Sequence, residues 1–381
     1  MATPLINVMV DGERLEAGLL DRLSRLEVWE TDNDPSIATF RLGLSQRPTG
    51  DFLPLDDGLF EPGVRIAIEL GAPGSLPTRL FDGFATHLRP HFEEIEANCY
   101  AEIIATDMAA ILDAEERVAS YPDVSDSEAA GLILDRYGLE LHADDTAARQ
   151  TEAGQLLVQR GTDWSFLRRL AARNGFVCYF EYDPTEDAVA AHFKPPQLRE
   201  PPQADLSILR ENNNLRWIDF QFAMATPVRA VGAAIDPINK RLVRTDGAPG
   251  LEVLGDAPLA DAVEEGVRRA GGTAAQVLLR DPFPTDAAIN AHGTGATDLA
   301  RFVLEARGEL DPALYRGLLR ARRPVLVKGV GARLSGTYYV RSVRTVLEEG
   351  RLSQSFVAWR NALGQSGVED FGQSAEEVPP E

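Results

Sequence analysis

The chain has 381 residues, with 38 Lys and Arg against 59 Asp and Glu, a net charge of −21. That balance argues against non-specific nucleic-acid binding, which needs clustered cations, and against anionic membrane surfaces; it suits a conduit wall that repels acidic cargo and equally suits plain solubility. Hydrophobic residues at 44% and charged residues at 25% fit a globular protein of two or three domains, and no apolar run of about 18 residues suggests a membrane helix.

The N-terminus, Met1-Ala2-Thr3-Pro4-Leu5, lacks the basic region and apolar core of a secretory signal. Cytoplasmic assembly is therefore expected. Only Cys99 and Cys178 occur, too few and too far apart for a disulfide scaffold or a four-ligand zinc site. Cys178 lies in an apolar run and reads as a buried thiol.

Residues 1–118 read as a first β-barrel or sandwich. Strands are expected at Leu5–Val10, ending at the Asp11-Gly12 turn, at Arg25–Glu30 and at Ala38–Leu44. In the second of these, Leu26, Val28 and Glu30 share a face. A Pro62-Gly63 turn launches a strand with Val64, Ile66, Ile68 and Leu70 on one side; Leu80–Thr86 and Ala97–Thr106 follow.

Residues 119–205 read as an α+β insertion closed by a Pro-rich linker, Pro195-Pro196 to Pro201-Pro202. Ser125 and Glu128 form a capping box. Ala129, Leu132, Ile133 and Tyr137 make the apolar stripe of the helix that follows, and Gly138 ends it. A second helix starts at Thr162, with Asp163 favoured at its positive end and Asn174-Gly175 as its stop. Phe166, Leu167, Leu170 and Ala171 fall on one face, with Trp164 read as a core or domain-junction aromatic. An aromatic strand from Phe176 to Tyr182 comes next, then one at Ala188–Phe193.

Residues 206–362 read as a second β-barrel with a helical excursion at about 256–310. Strands are expected at Arg216–Phe222 and Val228–Ala233, and helices at Leu259–Arg269 and Thr297–Arg307, the latter capped by Thr297. His292-Gly293-Thr294-Gly295 reads as a mobile linker before that helix. Strands return at Tyr315–Arg320, Pro324–Val330, Gly336–Val346 and Gln354–Trp359. Residues 363–381 carry acids but no Lys or Arg and read as a disordered tail.

No Gly-x-Ser-x-Gly, phosphate-loop, His-Glu-x-x-His or Cys-x-x-Cys motif occurs. His87 and His91 have helical metal-ligand spacing, but Pro90 intervenes and strand geometry would hold them about 13 Å apart. Asp56-Asp57, Glu93-Glu94 and Glu348-Glu349 sit in polar, loop-like stretches and read as solvated surface, not as acid–base pairs.

The run from Thr162 to Tyr179 resembles the T-D-W-x-F-L-x-R-L-A-x-x-x-G-x-x-x-Y stretch of phage late control protein D and of the valine-glycine-repeat (VgrG) spike proteins of type VI secretion. Phe60–Gly71, Leu80–Gly83 and Asp107–Asp113 resemble the first barrel of that hub family. Val327–Thr345 resembles its closing strands, with Thr345 where the family usually has a histidine, and Phe356–Asn361 its terminal F-x-x-x-R-N. The resemblance implies a mainly β fold with α+β insertions: two tail-tube-like antiparallel β-barrels plus a small α+β domain. It implies a structural baseplate hub of a contractile phage tail or phage-tail-like injection system; the missing catalytic and metal-ligand spacings add the expectation that the chain is not an enzyme and takes no cofactor and no metal.

The implied assembly is a homotrimer adapting a sixfold tail tube to a threefold spike. Its implied partners are a separate spike protein, a tail tube or tube-adaptor protein and baseplate wedge proteins, with no direct nucleic-acid or membrane binding. The residues carrying the resemblance are Asp163, Trp164, Phe166, Leu167, Leu170 and Gly175, then Gly336, Tyr338, Val340, Arg360 and Asn361. A tail-associated cell-wall hydrolase and a carbohydrate-binding β module are the alternative readings.

Overall fold

A computed structural model describes residues 4–72, 76–151, 156–236, 238–280, 285–315, 317–365 and 367. The chain is mainly β, built on large antiparallel sheets with α+β insertions. Alternation drives the first block. In Leu23–Thr31, Leu26, Val28 and Glu30 are buried while Trp29 faces out, and in Arg65–Gly71 the chain buries Ile66, Ile68 and Leu70. One apolar face per strand must leave water, so these strands close on a shared core.

The hydrogen-bonded ladder does not stop at the end of that block. Thirteen strands form one sheet among the described residues, because Gly336–Glu348 pairs with Arg351–Arg360 on one edge and with two successive partners on the other. Its first half pairs with Pro324–Lys328, and its second half, after a register shift at Arg341, pairs with Leu23–Thr31. Leu347 and Leu352, late in the chain, are therefore buried in the core of the first block. The second block packs Leu206, Leu304, Val325, Tyr338 and Phe356 around its own core.

Between them, the 109–193 stretch has a third core. Ser125 caps the Asp126–Asp135 helix as a complete capping box with Glu128. Ala129, Ala130, Ile133 and Leu134 are its buried apolar positions. Leu132, expected on the apolar stripe, is instead 54% exposed: the helix turns Ala130 and Leu134 inward, and one helical face cannot also include position 132. The Leu259–Arg269 helix has the expected bounds.

Several expectations from 286 to 320 do not hold. The helix is Asp286–Ala300, capped by Thr285, whose hydroxyl accepts the Ala288 N–H. Thr297 lies inside it and uses its hydroxyl to accept the Ala230 N–H at 2.9 Å. Leu304–Leu310 is a strand with Leu304, Ala306, Gly308 and Leu310 buried; a period of two overrides the helix expected at Thr297–Arg307. His292-Gly293-Thr294-Gly295 is helix interior, not linker. Residues 315–320 form no strand where described. Glu348 ends a strand rather than sitting in a loop. Of the acidic tail, Leu363 ends the short Ala362–Leu363 strand, while residues 366 and 368–381 lie outside the described residues.

Candidate functional site

The residues singled out by sequence fall into two buried clusters, in separate cores. The first is the Asp163–Asn174 helix. Thr162 accepts the Ser165 N–H at 3.2 Å, satisfying one orphan donor of the first turn. Asp163 is fully buried, and its carboxylate is saturated: Arg136 Nη2 donates at 2.8 Å, the Tyr137 hydroxyl at 2.6 Å and Gln159 Nε2 at 2.6 Å. One carboxylate thus ties the end of the Asp126–Asp135 helix and the Leu157–Thr162 strand to the start of its own helix. Burial and the Asp163 charge push the Tyr137 hydroxyl up to about 12.

Trp164, Phe166, Leu167 and Leu170 are buried in the third core, with Trp164 against Phe180 at 5.6 Å between ring centroids. The helix ends at Gly175 with φ 69°. A side chain there would also strike the Asp286–Ala300 helix, since an added Cβ would lie 2.5 Å from Gly295 Cα. The helix therefore docks on another helix, contributed by the second β block.

The second cluster locks the close of the chain. Arg360 is fully buried. Its Nε and Nη2 donate to the Leu254 carbonyl at 2.9 and 2.7 Å, and its Nη1 donates to that of Ser335 at 3.2 Å. It also donates to the Gly364 carbonyl. Tyr338 stacks under the guanidinium, 5.2 Å from ring centroid to Cζ. Gly336 is needed for the same fit: its φ is 144° and an added Cβ would sit 2.2 Å from Arg360 Nη2. Asn361 accepts the Leu254 N–H at 2.8 Å and donates to the Glu252 carbonyl at 2.7 Å. The Arg-Asn pair thus satisfies backbone groups of a loop a hundred residues upstream. Val340 is in the second core but not in this clamp; its backbone exchanges hydrogen bonds with Arg322 and Arg323.

Those arginines belong to a site that motif reading missed. Glu30 of the first block accepts Arg320 Nε at 2.8 Å and Arg322 Nη2 at 3.2 Å. Glu181 of the insertion meets Arg320 at 3.3 Å and Arg323 at 2.9 Å. Arg322 also donates to the Thr31 carbonyl at 2.9 Å and lies 4.4 Å over the Tyr179 ring. Alongside, Arg341 forks onto Asp32 at 2.8 and 2.9 Å. Three chain regions thus meet on one buried ionic network.

Burial alone would raise the Glu181 carboxyl, but Arg322, Arg320 and Arg323 outweigh it and hold it at about 2. Asp107, next to this junction, goes the other way: burial lifts it to about 6 despite the N–H groups of Ser36 and Ala109. Burial and the Lys194 charge bring His192, stacked on Tyr179, down to about 4. The one signal available beforehand was Glu30, a carboxylate on an alternating apolar face, which requires a buried cation partner.

The cavity at this junction is about 20 Å³, lined by Ser36, Asp82, Asp107, Glu181, Arg320 and Arg322; small-molecule sites are roughly 300–1,000 Å³. Its carboxylates are committed to arginines or backbone N–H groups, so the chemistry it performs is cohesion. Among the described residues no group of three or more His, Cys, Asp or Glu side chains is placed to hold a metal ion, and Cys99 and Cys178 are free and buried.

Comparison with known proteins follows the fold. Residues 2–204 match the family model described as the Alg8 N-terminal domain. No curated protein matches the chain. The 43 kDa tail protein of prophage MuSo2 from Shewanella oneidensis shares the fold with a TM-score of 0.61 at 11% identity, over 95% of this chain and 100% of that one. A tail protein from Neisseria meningitidis MC58 gives 0.64 at 12% identity, over 94% and 97% of the two chains. An E. coli component of the type VI secretion system, described as structurally similar to T4 tail proteins, gives 0.54 at 12% identity over 92% of this chain and 76% of that one.

Proposed function

The chain belongs to the Alg8 N-terminal domain family, and we propose that it is a structural hub protein in the baseplate of a contractile phage tail or phage-tail-like injection system. The observation that carries this reading is a fold shared with a prophage tail protein over 95% of this chain and the whole of the other. The ordered hub-family motifs add to it, and they work as packing and clamping residues. Each polar member, Asp163, Arg360 and Asn361, spends its hydrogen bonds inside the chain.

In this reading three copies form a ring that adapts a sixfold tube to a threefold spike, with spike, tube or tube-adaptor and wedge proteins as partners. The Leu215–Phe222 strand ends the thirteen-stranded ladder and offers an edge for pairing with a neighbour. The division into 1–118, 119–205 and 206–362 belongs to the same proposal, supported by the three cores. The protein assembles in the cytoplasm, leaves as part of a particle, and is not an enzyme.

The test is co-expression with the products of neighbouring genes, followed by light scattering and class-averaged electron microscopy of the labelled particle. Threefold density between tube and spike is expected. A chain that stays monomeric at all concentrations, with spike and tube partners present, sinks the reading. So does peptidoglycan or ester hydrolysis that a single Asp, Glu or His substitution abolishes.

A further inference from the structure

Beside the Arg360 clamp lies a groove of about 900 Å³. It is lined by Ala262, Val263 and Gly266 of the Leu259–Arg269 helix, by the Val330–Leu334 segment, and by Phe222 and Met224. The floor is apolar, and Met224 is 71% exposed within it. Two cations stand at the groove, Arg269 and Arg333. Arg333 is exposed, and among the described residues no carboxylate pairs with it. Among the described residues, the ion pairing of Arg269 is a 3.6 Å contact to the exposed Glu265.

The chain itself leads to this groove. Leu363 lines it, and Gly364 donates its N–H to the Arg333 carbonyl at 3.0 Å. Arg360 and Asn361 fix that exit point. Residues 368–381 follow, with five acids (Glu369, Asp370, Glu376, Glu377 and Glu381), no Lys or Arg, and one aromatic, Phe371. Phe371 lies eight Cα steps beyond Leu363, a reach of up to ~27 Å. The segment that begins at the rim therefore carries the charge the rim lacks and one side chain of the size the floor accepts.

We propose that residues 368–381 bind in this groove of their own chain, with Phe371 on the apolar floor and Glu369-Asp370 against Arg333 and Arg269. Tethering makes this efficient: a short linker holds a segment at millimolar effective concentration, so weak intrinsic affinity suffices.

Hydrogen exchange on the full-length chain, compared with a chain ending at Gln365, tests the proposal. Truncation should raise exchange several-fold in 259–269 and 330–334 and leave 163–174 unchanged. Phe371→Ala, and separately the Glu369→Lys, Asp370→Lys double variant, should reproduce much of that rise. A synthetic peptide of residues 366–381, added at millimolar concentration, should restore protection to the truncated chain. Ala262→Cys with Phe371→Cys should form an intramolecular disulfide under mild oxidation, read as a faster-migrating monomer on a non-reducing gel; Cys99 and Cys178 are buried and do not compete. Unchanged exchange on truncation overturns the proposal. Protection that depends on protein concentration, or a disulfide found only in dimers, overturns it in favour of a second copy as the occupant.

Discussion

At the scale of single residues, the chain depends on a few side chains with no freedom to change. Trp164 is 4% exposed and packs on Phe180 in the third core. Trp164→Ala should cost about 3–5 kcal/mol, since transfer and cavity terms add, and should lower both the thermal midpoint and the yield of assembled particle. Glu348→Ala is the control: its ion pair with Arg25 is 2.7 Å long but half exposed on the Glu348 side, and such pairs contribute about 0–1 kcal/mol. A Trp164→Ala chain with an unchanged midpoint and failed assembly would mean that the indole is a partner anchor. Glu181 supplies a pH test. Its folded-state carboxyl is lowered to about 2 from an ordinary 4.5, so its stabilisation is fully present above pH 4.5 and is lost as pH falls towards 2. Glu181→Gln should lower the midpoint at pH 7 and flatten its fall between pH 4.5 and 2. An acid limb as steep as wild type would show that Glu181 does not govern it.

At the scale of elements, contact is set by where the backbone allows approach. Helix Asp163–Asn174 and helix Asp286–Ala300 meet at Gly175 and Gly295, where an added Cβ on Gly295 would lie 2.3 Å from the Gly175 nitrogen. Gly295→Ala should therefore push the helices apart and destabilise the chain by 1–3 kcal/mol or more, in the range of overpacked interiors (about 1–3 kcal/mol). Gly266→Ala, on the Leu259–Arg269 helix with nothing within 4 Å of its added Cβ, should gain up to about 1 kcal/mol from helix propensity. Chemical denaturation midpoints of the two variants should move in opposite directions; movement together would refute the close-packing account. The same region shows what local pattern can and cannot reveal. The Ser125 and Thr162 caps were legible because a cap is a local hydrogen bond. The Gly-rich 292–295 run reads as a linker in sequence because its glycines answer to tertiary approach, which no local pattern reports. Thr297 looked like a cap for the same reason: its hydroxyl serves a distant strand.

At the scale of the whole molecule, sequence order and structural unity part company. The first core takes Leu347 and Leu352 from the far end of the chain, and the Gly336–Glu348 strand is shared between both blocks. Strand content and the alternating faces could be read directly. The ionic junction could not, because Glu30, Glu181 and Arg320 are about 140 or more residues apart along the chain and only the fold brings them together. That arrangement predicts cooperative unfolding. Removing one partner of a buried ion pair leaves the other uncompensated and costs about 3–5 kcal/mol. Glu30→Ala takes the ion-pair partner from Arg322, whose side chain is 3% exposed and keeps the Thr31 carbonyl and the Tyr179 ring, and leaves Glu181 as the carboxylate partner of Arg320. In calorimetry the wild-type chain should unfold in one transition, because the ladder and the junction couple the cores. Glu30→Ala should lower that transition and resolve an earlier one, the insertion and second block separating from the first. High salt should not mimic the variant, because buried pairs are weakly screened. If the wild-type chain already shows separate transitions, the junction does not couple the blocks. If Glu30→Ala leaves a single transition at the wild-type temperature, the network is not what joins them, and the continuous ladder through Gly336–Glu348 carries that task alone.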